Sequence, residues 1–473
     1  MRLKSVFVII FFILLSSHEL FASDGEGVFI TYNNKSYNIH EILSKYIKIS
    51  SISGNEFKAG EFLKELCKQN GLQITSMGNT NGNYNFAASV YPLEKKLPNI
   101  IFLNHIDVVP ANKPEEWEYP PFSGEITDHE IWGRGAFDNK GAAVMQLFSI
   151  IKIAHRHRSE NKNYNVTFLP VSCEETQCEG GIKYVIENYL DLLNPAVVIG
   201  EGPPAIKGLI ENKPDLAVFG IAVTQKRALW LRLKLELKTI GHSSVTPLHY
   251  ANKEMIIGLN KLLNKKTKIK YNKLNVNLLK RFGELNKGVT GFILKHPKFF
   301  KPLITPKLRK EPVLAALFSN TITLTSINDD NEGRNVIPHT ATAFLDCRLL
   351  PGTSTKKFIN YVKRSLGNNN INIEIVKETP QVKASSQETV FYTNMVKAIQ
   401  QNYKDSKIAA VLLPNANDTY FFRQHGIPSY STVPVKIDRK YLENIHNQNE
   451  RIPKDILKKG VDTYTSFVEN CFD

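Results

Sequence analysis

Several familiar signatures are missing from this 473-residue sequence. It has no Gly-x-Ser-x-Gly elbow and no Gly-Lys-Ser/Thr phosphate loop, which removes the main support for serine-hydrolase and NTPase readings. It has no His-Glu-x-x-His helix, so any metal chemistry needs another arrangement of ligands. Cysteine is scarce: Cys67, Cys173, Cys178, Cys347 and Cys471. An odd number cannot all pair internally. Cys173 and Cys178 read either as a local disulfide of an oxidising compartment or as buried thiols. Long apolar runs are scarce too. One occupies 6–15, after a short basic stretch and before small and polar residues that end at Ala22. That is the layout of a secretory signal cleaved after Ala22, and the run is short for a membrane anchor. No later segment is long and apolar enough to span, so the expected location is secreted or periplasmic.

Acids are nearly absent from one stretch. From 253 to 310 there are sixteen Lys or Arg against Glu254 and Glu284, so almost all of the net +15 falls there. Leu262, Leu263, Leu278, Leu279, Phe282, Phe292, Ile293, Phe299 and Phe300 lie in the same stretch. Two readings stand: a solvated face of helical hairpins, or a surface for anionic lipid or for an anionic, greasy substrate. In the second, its helices form a partly exposed lid that favours long acyl groups. Nucleic acid is not expected, because no nucleic-acid module accompanies the charge.

The length suits two domains. From 36 to 215 helix and strand patterns alternate: helices at 37–49, 56–70, 141–155 and 180–190, strands at 99–103, 165–171 and 196–199. Such alternation argues for a mostly parallel sheet covered by helices. The middle differs. An alternating strand at 229–237 precedes the basic stretch; strands at 321–327, 341–349 and 371–376 and a helix at 356–366 follow it, with Pro351-Gly352 as a turn. The remainder, 389–469, supplies helices and strands that complete the first sheet. One domain is therefore inserted into another: 1–22 signal, 23–220 first catalytic part, 221–384 inserted domain, 385–473 second catalytic part.

Three of the expected strands end in ligand-type residues. One leads into His105-Ile106-Asp107, another into Cys173-Glu174-Glu175, and a third into Glu201. In open α/β sheets ligands bind at the carboxyl ends of strands, so these ends converge. The loop Gly133-Arg134-Gly135-Ala136-Phe137-Asp138-Asn139-Lys140-Gly141 adds a fourth contributor, its glycines letting the backbone turn and present Asp138. In His105-x-Asp107 the two side chains share a face, so Asp107 would hold one imidazole nitrogen while the other binds a metal. The pair Glu174-Glu175 at a strand end suits a general base beside a ligand. Imidazole and carboxylate ligands suit zinc, or manganese or cobalt.

The ordered set His105-x-Asp107, Gly133-Arg134-Gly135-x-x-Asp138-x-Lys140-Gly141, Glu174-Glu175, Glu201-Gly202 and His446-x-x-Asn449-Glu450 resembles the co-catalytic zinc peptidases. These include carboxypeptidase S, aminoacylases, glutamate carboxypeptidase and succinyl-diaminopimelate desuccinylase. The resemblance runs from 36 to the C-terminus and is nearest the branch of carboxypeptidase S and the N-fatty-acyl-amino-acid synthase/hydrolases. It implies an α/β fold: a catalytic domain with a mostly parallel sheet, and an inserted α+β lid domain of the dimerisation type. It implies a zinc metallopeptidase or aminoacylase-type amidohydrolase that cleaves the amide bond next to a C-terminal amino acid, acting on a peptide or an N-acyl amino acid as a monomer or homodimer. It also implies roles. His105, Asp138 and Glu201 would hold one zinc; Asp138, Glu175 and His446 the other. Asp107 would orient His105, and Glu174 would move the proton from the attacking water to the leaving amine. Gly241-His242-Ser243-Ser244 resembles the family's lid motif, which implies that His242 binds the substrate and helps polarise the scissile carbonyl. Asn335-Val336-Ile337-Pro338 and Asp346-Cys347-Arg348 resemble its substrate-binding segments, with Asn335 and Arg348 on the substrate carboxylate.

One stretch departs from the pattern. Pro414-Asn415-Ala416-Asn417-Asp418-Thr419-Tyr420 has no glycine-rich turn, and Tyr420 stands where arginine is common. The competing readings are a silent lipid- or peptide-binding protein on the same fold and a membrane-surface protein driven by 253–310. The complete ligand set and Glu174 count against the silent reading.

Overall fold

The computed structural model describes residues 29–78, 83–160, 162–210, 213–238, 242–330 and 333–473. The expected signal at 1–22 and Gly241 lie outside them. An eight-stranded sheet forms the larger layer. Its strands run in the order Lys407–Leu413, Val218–Gln225, Ser429–Ser431, Pro195–Gly200, Asn99–His105, Asn165–Val171, Phe86–Ser89 and Gln73–Ser76. The central strands Pro195–Gly200, Asn99–His105 and Asn165–Val171 are parallel. Antiparallel pairs occur toward one edge and between Val218–Gln225 and Ser429–Ser431. The central strands are buried on both faces, which is why they read as continuous apolar runs and not as alternation.

Alternation within Asn99–His105 sends Ile100 and Phe102 to one face and Ile101 and Leu103 to the other. The first face is covered by the helices Ile39–Ile47, Lys140–His157, Val390–Asn402 and Asp455–Phe472; the second by Ile182–Leu193. Local chemistry sets the helix starts. Asn38 and Glu41 form a reciprocal cap ahead of Ile39–Ile47, and the Ser354 and Thr389 hydroxyls accept from the first turns of Thr355–Leu366 and Val390–Asn402.

The inserted layer is a four-stranded antiparallel sheet, ordered Thr321–Asp329, Thr340–Leu349, Arg227–Glu236 and Asn372–Glu378. Leu229, Leu231, Leu233 and Leu235 point to the face covered by the helices Ala251–Leu263 and Thr355–Leu366. The alternate residues, Trp230 and Arg232 among them, form an open face. The chain leaves the large sheet at Lys226, and the return passes beside it, where the Ser385 amide donates to Val223 O (2.8 Å). Lys226 is buried at this crossing. Its ammonium donates to Ala316 O and Thr321 Oγ1, both at 3.1 Å. Burial, and then the Arg348 charge, lower its pKa to about 7.

The basic stretch does not form a lid beside the strand ends. Helix Lys273–Leu285 sets Leu278 and Leu285 against Val218, Ala222, Ala409, Val411 and Leu413, on the two strands at the edge of the large sheet. Leu279, Ile304, Leu308 and Phe318 then pack together over it. Apolar surface was available on that edge, and it took the greasy side of the helices. The His105 strand is fifth in the order and lies roughly 19 Å away at ordinary strand spacing.

The Phe102 ring sits 5.2 Å from Tyr464 and 6.3 Å from Phe467, so the strand that carries His105 is held to the C-terminal helix. Phe102→Ala is expected to destabilise the protein by about 3–5 kcal/mol, read by denaturant unfolding. A loss under about 1 kcal/mol would show that this aromatic contact does not anchor the strand.

Candidate metal centre

Three adjacent parallel strands end at the same edge of the sheet, and that register delivers the first ligands. His105 closes Asn99–His105, Glu174 and Glu175 follow Asn165–Val171, and Glu201 follows Pro195–Gly200. His105 Nε2 lies 3.1 Å from Glu201 Oε2 and 3.3 Å from Asp138 Oδ1. On the other side, His446 Nε2 lies 3.2 Å from Glu175 Oε1 and 3.4 Å from Asp138 Oδ2. Asp138 thus gives one oxygen to each group. Within each set of three, all the ligand atoms lie within 4.8 Å of one another.

The electrostatics follow from the crowding. Burial disfavours charge on His105, but the Glu201, Asp107 and Asp138 carboxylates outweigh it and raise its pKa well above the usual value. Hydrogen bonds to Asp138 and then Glu175 raise His446 to about 10. Desolvation opposes ionisation of Asp138, and the imidazoles of His105 and His446 more than offset it. Glu174 and Glu201 are pushed up by burial, Glu174 also by the Glu201 charge. Burial drives the Asp418 carboxyl up to about 8. Five carboxylates and two imidazoles in one cleft fit a pair of cations, which would relieve the mutual repulsion of the acids and match the nitrogen and oxygen donor set.

Asp107 does more than orient an imidazole. His105 Nδ1 meets the Asp107 backbone carbonyl at 2.8 Å and its carboxylate only at 3.5 Å. The carboxylate instead accepts from the Glu174 amide (3.0 Å), the Glu175 amide (3.2 Å) and Ser53 Oγ (2.7 Å). It therefore holds the turn that presents both glutamates. Cys173 and Cys178, left open by the sequence, are disulfide-bonded, with Cα atoms 5.4 Å apart. The bridge closes the short loop that contains Glu174 and Glu175.

The Asp138 loop is pinned by a residue whose part the sequence did not reveal. The buried Glu450 carboxylate accepts from Arg134 Nη1 (2.7 Å) and from the amides of Gly135 (2.9 Å), Phe137 (3.0 Å) and Asp138 (3.0 Å). Glu450 follows His446 by one short turn, so a single segment carries one ligand and sets the loop of another. Gly133 and Gly135 have φ of 144° and 81°, a region side chains avoid, and a Cβ on Gly135 would stand 2.6 Å from Val108. His446 itself sits at φ 62°. A left-handed backbone in a residue other than glycine persists only where its surroundings enforce it.

Asn417, in the stretch that departs from the family pattern, donates to Glu201 O at 2.9 Å and to Ser431 Oγ at 3.1 Å. Tyr420 donates to Pro380 O (3.1 Å), and buried Arg423 donates to Gln225 Oε1 (2.6 Å). The turn thus braces the Glu201 strand end and the crossing between sheets.

The inserted sheet does not bring its three expected substrate residues together. His242 Nε2 and the Asn335 side-chain amide meet at 3.2 Å, beyond one end of the sheet. Arg348 lies at the other end, opposite Ala228 and Thr321. Eight residues of strand from Thr340 to Arg348 span roughly 25 Å, so Asn335 and Arg348 cannot grip one carboxylate within the chain. The sequence could not show this, because both motifs belong to one domain and differ only in which strand end they occupy. Arg348 stands at the end of the sheet that touches the loop after Glu175. On its open face, Lys377 Nζ donates to Gln177 Oε1 (3.1 Å) in the loop after Glu175. The Arg348 guanidinium is paired with Asp346 at 2.8 and 2.9 Å.

Residues 101–470 match peptidase family M20/M25/M40. The chain belongs to this family of metallohydrolases. It is 27% identical over 408 residues to a probable carboxypeptidase S-like 2 of Dictyostelium discoideum, covering 83% of this chain and 75% of that one. It is 27% identical over 399 residues to an N-fatty-acyl-amino acid synthase/hydrolase of Mus musculus, covering 82% and 77%. The fold matches an M20 family metallo-carboxypeptidase from Sulfolobus solfataricus with a TM-score of 0.67 at 22% identity, over 92% of this chain and 99% of that one. It matches human carnosine dipeptidase 1 with a TM-score of 0.62 at 14% identity, over 91% and 96%.

Removing Glu450 would leave Arg134 buried without its partner and the Asp138 loop without its anchor. Glu450→Ala is expected to cost about 3–5 kcal/mol of stability and to lower the metal bound per chain, read by unfolding and by elemental analysis. Metal content and stability equal to the parent protein would show that the loop holds its shape without Glu450.

Proposed function

We propose that the chain is a metal-dependent hydrolase that cleaves the amide bond next to a C-terminal amino acid, in a peptide or an N-acyl amino acid. The observation that carries this reading is the pair of three-ligand sets sharing Asp138, with Glu174 beside them in neither set. His105, Asp138 and Glu201 would hold one ion and Asp138, Glu175 and His446 the other. Zinc suits these donors, with manganese or cobalt as alternatives. When bound, such a pair acidifies the attacking water and stabilises charge on the scissile carbonyl oxygen.

The chain's own residues do the rest. The Asp107 carboxylate aims Glu174 through its backbone amide. Glu174 takes a proton from the attacking water and returns it to the leaving amine nitrogen. Arg348 receives the substrate carboxylate, for which a guanidinium fork is well shaped, in place of Asp346. His242 and Asn335, joined at the far end of the inserted sheet, do not reach that contact within the chain. The enzyme works in an oxidising compartment, secreted or periplasmic; the disulfide beside the glutamate pair supports that location.

Glu174→Gln is expected to lower kcat by about two to four orders of magnitude while both metals stay bound, since a proton carrier is not a ligand. Near-normal turnover, or loss of metal, would remove Glu174 from that role. Arg348→Ala is expected to raise KM on the order of tenfold to a hundredfold for substrates with a free terminal carboxylate and to leave the amidated analogues nearly unchanged. Equal losses on both would make Arg348 a structural partner of Asp346 only.

A further inference from the structure

The residues from 286 to 318 form three short helices, Gly288–Lys295, Lys301–Lys310 and Pro312–Phe318, whose inner side is covered by Leu279 and Phe318. Their outer side is not covered. Val289 is 76% exposed, Phe292 57%, Phe299 80%, Leu303 56% and Val313 60%. Single exposed apolar residues are ordinary, but this is a group on one short stretch. The rings are also contiguous: Phe292 and Phe299 both stack edge-on to Phe300, at 5.7 and 4.9 Å.

The charge around them is almost all of one sign, and the bordering acids Glu284 and Glu311 are paired with Arg281 and Arg439. Between 285 and 310 there are seven Lys or Arg and no acid. Lys287, Lys295, Lys298, Lys307 and Lys310 are exposed, and among the described residues no carboxylate pairs with them. A face meant only for water has no need of protruding phenylalanines, and a face meant only for a protein core has no need of unpaired lysines. None of the described helices is long and apolar enough to cross a membrane. Short helices that pair aromatic tips with lysines lie in the headgroup layer, where the rings enter the acyl boundary and the ammonium groups meet lipid phosphate and carboxylate.

We propose that this helical knuckle docks the protein on the surface of an anionic lipid bilayer. The patch is built on the edge strands of the large sheet, so the inference does not rest on the catalytic reading. Docking by such a surface has two separable parts. The lysines supply attraction that salt screens, and the rings supply retention that salt does not weaken.

The test is sedimentation of the full, metal-loaded chain with vesicles of phosphatidylcholine alone and of phosphatidylcholine mixed with phosphatidylserine. Binding is expected only to the anionic vesicles, and is expected to weaken as salt is raised. F292S/F299S is expected to reduce the partition coefficient on the order of tenfold or more. K295E/K298E is expected to abolish the preference for anionic vesicles. Both variants should keep the parent's metal content and melting behaviour; if one of them does not, the other still decides. The proposal is overturned by failure to bind anionic vesicles, by equal binding to neutral ones, or by unchanged binding of the well-folded variants. Self-association in the absence of lipid that disappears in F292S/F299S would assign the surface to a second copy of the chain and would also overturn it.

Discussion

Asp138 can serve two ligand groups only because its loop is held from both sides. Its oxygens are shared between His105 and His446, and its backbone amide is bound by Glu450. A loop with glycines at φ 144° and 81° would not hold that shape alone. The buried pair of Arg134 and Glu450 supplies the constraint, and removing either partner would leave a charge uncompensated in the interior. The same segment carries His446, so the second ligand group and the anchor of the shared ligand are positioned together.

A second carboxylate repeats this logic on the other side. Asp107 spends its hydrogen-bonding capacity on Ser53 and on the amides of Glu174 and Glu175. The strand that ends in a ligand thereby aligns the neighbouring strand's glutamates. Acids that would repel one another as ligands are held close by bonds made to backbone, behind the cleft. Desolvation then raises Glu174, Glu201 and Asp418, the response expected of carboxylates gathered where cations belong.

The inserted domain is joined to this frame by two adjacent passages of chain at Lys226 and Ser385. Lys226 ties the crossing to the helices after the basic stretch through Ala316 O, and Tyr420 ties it to the Glu201 side through Pro380 O. The hinge end of the inserted sheet, with Arg348 and Lys377, consequently abuts the glutamate loop, while the His242–Asn335 pair projects from the opposite end. The basic helices brace the sheet edge from outside.

By itself, the sequence determined the local structure and the chemistry of the strand ends. The strand at 165–171 was legible residue for residue, and the helices and inserted strands to within a few residues, because period and capping act over short stretches of chain. His105, Glu174, Glu175 and Glu201 were legible because each stands at the end of a strand, and Asp138 because it stands in a glycine-rich turn before a helix; His446 was legible only through the resemblance of its motif. Only the tertiary structure decided which ends meet. The Glu450 anchor joins groups 312 residues apart, which no local pattern encodes. The disulfide needed Cys173 and Cys178 to face each other across a turn. The separation of Arg348 from Asn335 depended on strand direction within one sheet. The placement of the basic helices depended on which apolar surface lay uncovered once the large sheet had formed, and burial selects a surface without naming it in the sequence.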